Sequence, residues 1–220
     1  MMGMAAPLLI LAHAGDDIAR GLATSWGAGV RLIVPRDLSA PGWQHFPAGG
    51  GNDTIGIAGE TVRAAEVAGV LVRIAAVAPA DLPHIAIEDR AYVAGEMTAF
   101  LQSFLTSLHC PVINRPSPTS LMGPGWSRER WRAAAVAAGI EIAPAGTGDL
   151  VVVAGSDCIG AANNRIAERA LSLARLAAVE FLPVRMTADG RFVEAEPWAA
   201  PPIAAGALRA LLTPAVECAP

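Results

Sequence analysis

An open parallel α/β sheet followed by a smaller α+β unit is the fold class this sequence predicts. Three observations predict it. Residues 7–12 are a continuous apolar run and 30–34 a second buried strand, and they flank a capped amphipathic stretch, the strand–helix–strand pattern of a parallel sheet. A further apolar run, 69–74, leads through a long amphipathic segment to another at 111–114. The C-terminal third then changes character, because residues 179–186 and 191–195 flank Ala188-Asp189-Gly190, a strong hairpin signal.

The elements follow in order. Residues 7–12 form the first strand. Asp16 stands where an N-cap belongs, and 17–26 reads as a helix closed by Gly27. Residues 30–34 are a second strand ended by Pro35, 39–51 a Pro- and Gly-rich loop, and 53–58 a short strand. Residues 69–74 are the next buried strand. The clearest helix is 88–108, with one apolar stripe of Tyr92, Met97, Phe100, Leu101, Phe104, Leu105 and Leu108. A strand at 111–114 is stopped by Arg115-Pro116. After a loop at 116–125, Ser127 caps a helix running to Ala138, with Gly139 just past its end. Residues 150–154 are a strand, 163–178 an amphipathic helix, and about 203–212 a last short helix. Two domains are expected, 1–144 and 149–220, with the boundary at 145–148.

Composition narrows the function. The chain has 220 residues, 53% hydrophobic and only 16% charged. Much of the apolar excess is alanine, and the shortage of charge points to apolar surface covered by a partner or second subunit. A net charge of −4 gives no broad attraction to nucleic acid or acidic membranes. No segment is long and uncharged enough to span a bilayer, since Arg73 interrupts the best candidate, 67–78. The first fourteen residues lack a basic start and read as a strand rather than a signal peptide. Cys110, Cys158 and Cys218 are an odd set with no Cys-x-x-Cys pair, which suits reduced thiols in a cytoplasm. Neither they nor His13, His45, His84 and His109 show a zinc-ligand spacing.

There is no lysine; all 16 basic residues are arginine. A biased genome composition produces the same pattern, so its meaning depends on the motifs. Three stretches carry one. Val70-Leu71-Val72-Arg73, the long helix with Glu96, and Pro111-Val112-Ile113-Asn114-Arg115-Pro116 form the first. The second ends in Ala138-Gly139-Ile140-Glu141-Ile142-Ala143-Pro144. In the third, a Val-Val-x-Gly strand leads through a helix to Phe181-Leu182-Pro183-Val184, an Asp-Gly turn and Val193-Glu194-Ala195-Glu196-Pro197. In order and spacing these resemble the ATP-grasp superfamily, in the branch of the ribosomal-protein glutamate ligase and the peptide-modifying ATP-grasp enzymes. The resemblance implies a pre-ATP-grasp-like N-terminal domain followed by an ATP-grasp-like C-terminal part.

The departures from that pattern carry the functional expectation. The family's central lobe bears a phosphate-binding lysine, a glycine-rich loop and the adenine hinge. Here only residues 145–149 lie where it would be inserted. Arg128 stands about where a second family lysine begins a helix. Arg185 falls where a metal-binding acid is implied. Of the closing Glu-x-Asn pair, Glu194 remains and Glu196 replaces the asparagine. Hydrogen bonds to charged groups are worth roughly 1.5–3 kcal/mol each. Losing two phosphate contacts therefore costs about 3–6 kcal/mol, on the order of 100- to 10,000-fold in affinity.

Candidate ligand-binding residues are Arg73, Glu96, Asn114, Arg128, Arg185, Glu194 and Glu196. Glu194 and Glu196 lie two apart on a strand and face one side. Paired carboxylates hold magnesium or exchange protons, although an exposed strand end that keeps an inherited pattern accounts for them more simply. Arg73, Glu96 and Asn114 gather near a sheet edge, with a structural ion pair between Arg73 and Glu96 the simpler reading. His13, Asp16 and Asp17 follow the first strand, where open sheets place ligands, but a cap and a polar turn explain them. Trp126, Arg128, Arg130, Trp131 and Arg132 suit either a solvated first turn or an interface. Gly49-Gly50-Gly51 lacks the Lys-Ser/Thr of a P-loop.

The expectation is a catalytically degenerate ATP-grasp-like accessory or scaffold protein of a biosynthetic ligase pathway. It would have no catalytic residues, cofactor or metal. It would act as a homodimer or as a heteromer with another protein, such as an intact ATP-grasp ligase, without nucleic acid or membrane. The alternative is a reduced enzyme, or a binder of a small anionic metabolite, using Arg128, Arg185, Glu194 and Glu196; arginine is a good anion ligand.

Overall fold

The computed structural model describes residues 6–47, 52–144 and 146–213. Gly49-Gly50-Gly51, Ala145 and Cys218 lie outside the described residues. Two compact units make up the chain, one running to Met122 and including Leu212 and Thr213, the other Gly123–Leu211. The division precedes the Ser127-capped helix, whereas the sequence placed the boundary at 145–148. The reason is packing: Trp131, Ala134 and Ala135 of that helix bury themselves among residues of the second unit.

The first unit is built on four parallel strands, β1 (Leu8–Leu11), β2 (Val30–Ile33), β5 (Gly69–Val72) and β6 (Val112–Ile113), in the order β2-β1-β5-β6. Leu8 is in register with Val30 on one side and Gly69 on the other. All four residues of β1 and of β5 are buried, as expected of strands covered on both faces. Between β1 and β2, α1 (Asp17–Trp26) starts on Asp16, whose carboxylate accepts from the Ala19 amide at 2.9 Å. Gly27, at φ +87°, ends it.

Between β2 and β5 the chain makes an antiparallel hairpin, β3 (Thr54–Ile57) and β4 (Glu60–Arg63). The sequence showed only its first strand. The turn is Ala58-Gly59, both at positive φ, a two-residue hairpin turn without the Asn or Asp that usually announces one.

Helix α2 (Arg90–Ser107) follows β5. Asp89 makes no side-chain cap bond, so packing holds the helix. Leu101, Phe104 and Leu105 are buried against Leu9, Val70 and Val72, each contributing about 1.5–3 kcal/mol. Met97 and Phe100 pack at the edge of this core. Tyr92, expected in the apolar stripe, is instead 71% exposed, because the first turn of the helix packs on the core through Val93 and Ala94.

The second unit is α+β. Its sheet is antiparallel, in the order β10-β9-β7-β8, from β7 (Asp149–Ala154), β8 (Asp157–Ile159), β9 (Phe181–Met186) and β10 (Phe192–Ala195). α3 (Arg128–Ala137) and α4 (Asn164–Leu176) pack against it, joining Val151, Val153, Val184 and Phe192 in one core. Ser127 accepts from the Arg130 amide and Asn163 from the Ile166 amide, so both helices begin on side-chain caps. Cys158 lies in β8, paired opposite Val153. A short 3-10 turn, Pro202–Ala204, precedes the last helix, α5 (Ala205–Leu212).

Candidate functional site

The sequence candidates separate into two places, one in each unit. In the first, β1 and β5 are adjacent parallel strands whose onward connections lead to opposite sides of the sheet, the arrangement that opens a crevice at their carboxyl ends. Asp16 follows β1 and Arg73 follows β5. Arg73 Nε donates to Asp16 Oδ2 at 2.8 Å, and both side chains are largely buried. Burial raises the Asp16 carboxyl. The Arg73 hydrogen bond, the Ala19 amide and the Arg73 charge together outweigh it, leaving the pKa below its ordinary value. The acid on Arg73 is thus Asp16, not Glu96; Glu96 lies on the exposed face of α2. Asn114 is buried at the carboxyl end of β6, beside β5. His13 Nδ1 sits 3.0 Å from both carboxylate oxygens of Asp81. The crevice mouth is thus already occupied by internal ion pairs and caps.

The second place is a cleft of about 150 Å³ in the C-terminal unit, lined among others by Trp126, Arg128, Trp131, Glu194, Glu196 and Trp198. The β9–β10 hairpin supplies the acids and α3 the aromatic wall. A register shift between Phe192 and Glu194 sets Glu194 opposite Arg185. Arg185 Nε reaches Glu194 Oε1 at 3.2 Å. Arg128, Glu194 and Glu196 line the cleft, and Arg185, at the expected acidic position, reaches it by pairing with Glu194.

The cleft's aromatic side has its own chemistry. Trp126 and Trp131 lie with ring centroids 4.7 Å apart, and the Arg130 guanidinium stands 4.7 Å over the Trp126 ring, a cation–π contact. Arg130, not Arg128, is the arginine the aromatic pair uses. Trp131 is 2% exposed, and its indole Nε1–H has no hydrogen-bond partner.

Sites that enclose drug-sized ligands run to about 300–1,000 Å³, so this cleft is small for a nucleotide. The residues around it fit magnesium poorly, because Glu194 is already paired with Arg185. Among the described residues no group of three or more His, Cys, Asp or Glu is placed to hold a metal ion. Burial pushes the Cys110 and Cys158 thiols up, which disfavours the reactive thiolate. No helix among the described residues is long and apolar enough to cross a membrane.

No protein-family profile and no curated protein matches the sequence. Solved structures do match. The ATP-grasp ligase PsnB, complexed with a phosphomimetic variant of its minimal precursor, Mg and ADP, superposes with a TM-score of 0.68 at 12% identity. It covers 96% of this chain and 98% of that one. PsnB with its minimal precursor gives 0.65 at 11% identity, covering 96% and 99%. The macrocyclase MdnC bound with precursor peptide MdnA, from Microcystis aeruginosa MRC, gives 0.64 at 12% identity, covering 93% and 98%. At these identities the likeness is one of fold: a parallel α/β sheet and antiparallel sheets arranged as in ATP-grasp-like ligases.

Proposed function

We propose that this chain is a catalytically silent, truncated ATP-grasp-like protein that serves a peptide-modifying biosynthetic pathway as an accessory or scaffold. Its work is to bind a peptide or protein partner. It carries out no ATP-dependent ligation of its own.

The observation that carries this reading is the Arg185–Glu194 pair at 3.2 Å. Phosphoryl transfer needs cations on the phosphates and carboxylates free to hold magnesium. Here the carboxylate is paired with an arginine of the same sheet, and that arginine stands where the resemblance implies a metal-binding acid. The peptide half of the reading is supported by the fold neighbours, which were solved with precursor peptides bound. A partner surface is supported by Ile87 and Tyr92, 78% and 71% exposed around the start of α2. The partner is a second copy or an intact ATP-grasp ligase.

Calorimetric titration with Mg-ATP tests the first half. The expected result is no binding heat at millimolar nucleotide. Tight magnesium-dependent binding, with ATP hydrolysis lost in Glu194→Ala, overturns the proposal. Light scattering during size-exclusion chromatography tests the second half. A dimer, or a complex with an added ATP-grasp ligase, is expected; a monomer under every mixture counts against it.

A further inference from the structure

His45 lies in the loop before β3, and its ring is held from every side. Nδ1 is 2.7 Å from Asp53 Oδ2, and Nε2 is 2.7 Å from Ser103 Oγ on α2. Phe100 and Phe104 meet the ring edge-on, with centroids 6.1 and 5.7 Å away. The imidazole is only 4% exposed, whereas Ser103 is on the surface. Asp53 is itself fixed, because its Oδ1 accepts from the Phe46 amide at 2.9 Å.

These bonds dictate the protonation pattern. Burial raises the Asp53 carboxyl. The Phe46 amide, the His45 hydrogen bond and charge, and the Ser107 hydroxyl more than offset it, and the pKa is lowered. An ionised carboxylate only accepts, so Nδ1 carries a ring proton, and in the neutral imidazole Nε2 is then the nitrogen with the lone pair. That lone pair points at the only proton Ser103 Oγ has to give.

We propose that Ser103 is a nucleophile activated by His45 as general base and oriented by Asp53, directed at esters or thioesters of an apolar acyl group. Ser103 Oγ adds to the acyl carbon while its proton passes to His45 Nε2. The imidazolium, stabilised by Asp53, returns that proton to the departing alcohol or thiol as the C–O or C–S bond breaks. Water then repeats the sequence on the acyl-serine, releasing the carboxylic acid and restoring Ser103. The acyl preference comes from a cavity of about 450 Å³ that adjoins the site at Asp53 and is walled by Phe46, Pro47, Val67 and Leu108, with Ser107, His109 and Cys110 also on its lining. Ser107 lies one helical turn beyond Ser103, a rise of about 6 Å. None of these residues belongs to the Glu194 cleft, so the site stands independently of the function proposed above.

The competing account is a hydrogen-bonded staple that ties the loop to α2 without reactivity. Reaction of the full chain with an alkyl fluorophosphonate separates the two, because this reagent reads only the nucleophile and its base. Peptide mass spectrometry should find the adduct on Ser103, formed at least about 10-fold faster than on Ser107, and absent in Ser103→Ala. General-base assistance is worth about 100- to 10,000-fold, so Asp53→Asn and His45→Gln should slow labelling by about 100-fold or more. Should His45→Gln fail to fold, Asp53→Asn with an unchanged circular dichroism spectrum decides. Labelling of Ser103 no faster than of Ser107, or undiminished in folded Asp53→Asn, overturns the proposal. So does a Ser103→Ala variant that loses stability while the parent protein takes up no label.

Discussion

Arg185 and Glu194 face each other across neighbouring antiparallel strands, with Nε 3.2 Å from Oε1. The pair ties a carboxylate on the cleft wall to the neighbouring strand. It does little for stability. The side chains are 42% and 39% exposed, and ion pairs that open to water are worth about 0–1 kcal/mol. Arg185→Ala should therefore lower the melting temperature by no more than about 4 °C. A thermal melt followed by circular dichroism checks this, and a drop well beyond that range would mean the pair organises the hairpin.

The Arg73–Asp16 pair should behave in the opposite way. Its side chains are 8% and 14% exposed. Arg73→Ala strands a carboxylate among buried groups, and breaking such a pair costs roughly 3–5 kcal/mol. Urea unfolding at pH 7 measures it; a loss below about 1 kcal/mol refutes the assignment.

The same pair sets an acid dependence. The Asp16 pKa is lowered in the folded state. Its contribution is therefore complete above the unfolded carboxyl value, about 3.9. It disappears as pH falls through the lower folded value. Unfolding free energies measured from pH 7 down to pH 2.5 should fall through this window in the parent protein. Asp16→Asn, which cannot ionise but keeps an oxygen for the Ala19 amide, should be less stable at pH 7 and show a shallower acid slope. Equal slopes would place the acid sensitivity elsewhere.

Trp131 is buried with its indole N–H unpartnered. An unsatisfied buried donor costs about 1–3 kcal/mol. Trp131→Phe removes that cost and some packing together, so its net effect should stay within about 1.5 kcal/mol. Trp131→Ala leaves a cavity and should cost about 3–5 kcal/mol. Chemical denaturation of both variants tests the difference; equal losses would show that the N–H is satisfied in solution.

Two glycines of the β3–β4 hairpin separate steric from conformational need. A Cβ on Gly56 would stand 2.3 Å from the Pro41 carbonyl oxygen, while one on Gly59 meets nothing, although φ there is +86°. Gly59→Ala should cost about 1–2 kcal/mol from the left-handed backbone alone. Gly56→Ala must displace backbone and should cost more than that. Stability measurements that reverse this order would show that the Pro41 segment yields freely.

What the sequence disclosed follows from the physics of each element. β1 and β5 were legible because burial on both faces leaves an uninterrupted apolar run, and β2 because its apolar residues surround a single arginine. The Asp16, Ser127 and Asn163 helix starts were legible because caps are local chemistry. β4 was not, because Ala58-Gly59 makes its turn without the usual side chains. β8 was not, because it has only three residues. Arg185 and Glu194 were grouped by motif, and a hairpin with a local pairing brings them together. Arg73 and Asp16 are 57 positions apart, and His45 and Ser103 are 58. Such partners are set by strand order and helix docking. No spacing rule in the chain announces them.

The sheets also bear on aggregation. In the parallel sheet the outer strands are β2, four residues with Arg31 in their midst, and β6, two residues. In the antiparallel sheet β8 offers three residues, and the flank of β10 is hydrogen-bonded by Glu141 and Ala143 to Phe192. A foreign strand gains stability by zipping along a long exposed ladder. These ladders give it two to four residues before they end, so an apolar, weakly charged chain is guarded against fibre-like stacking at the margins of its sheets.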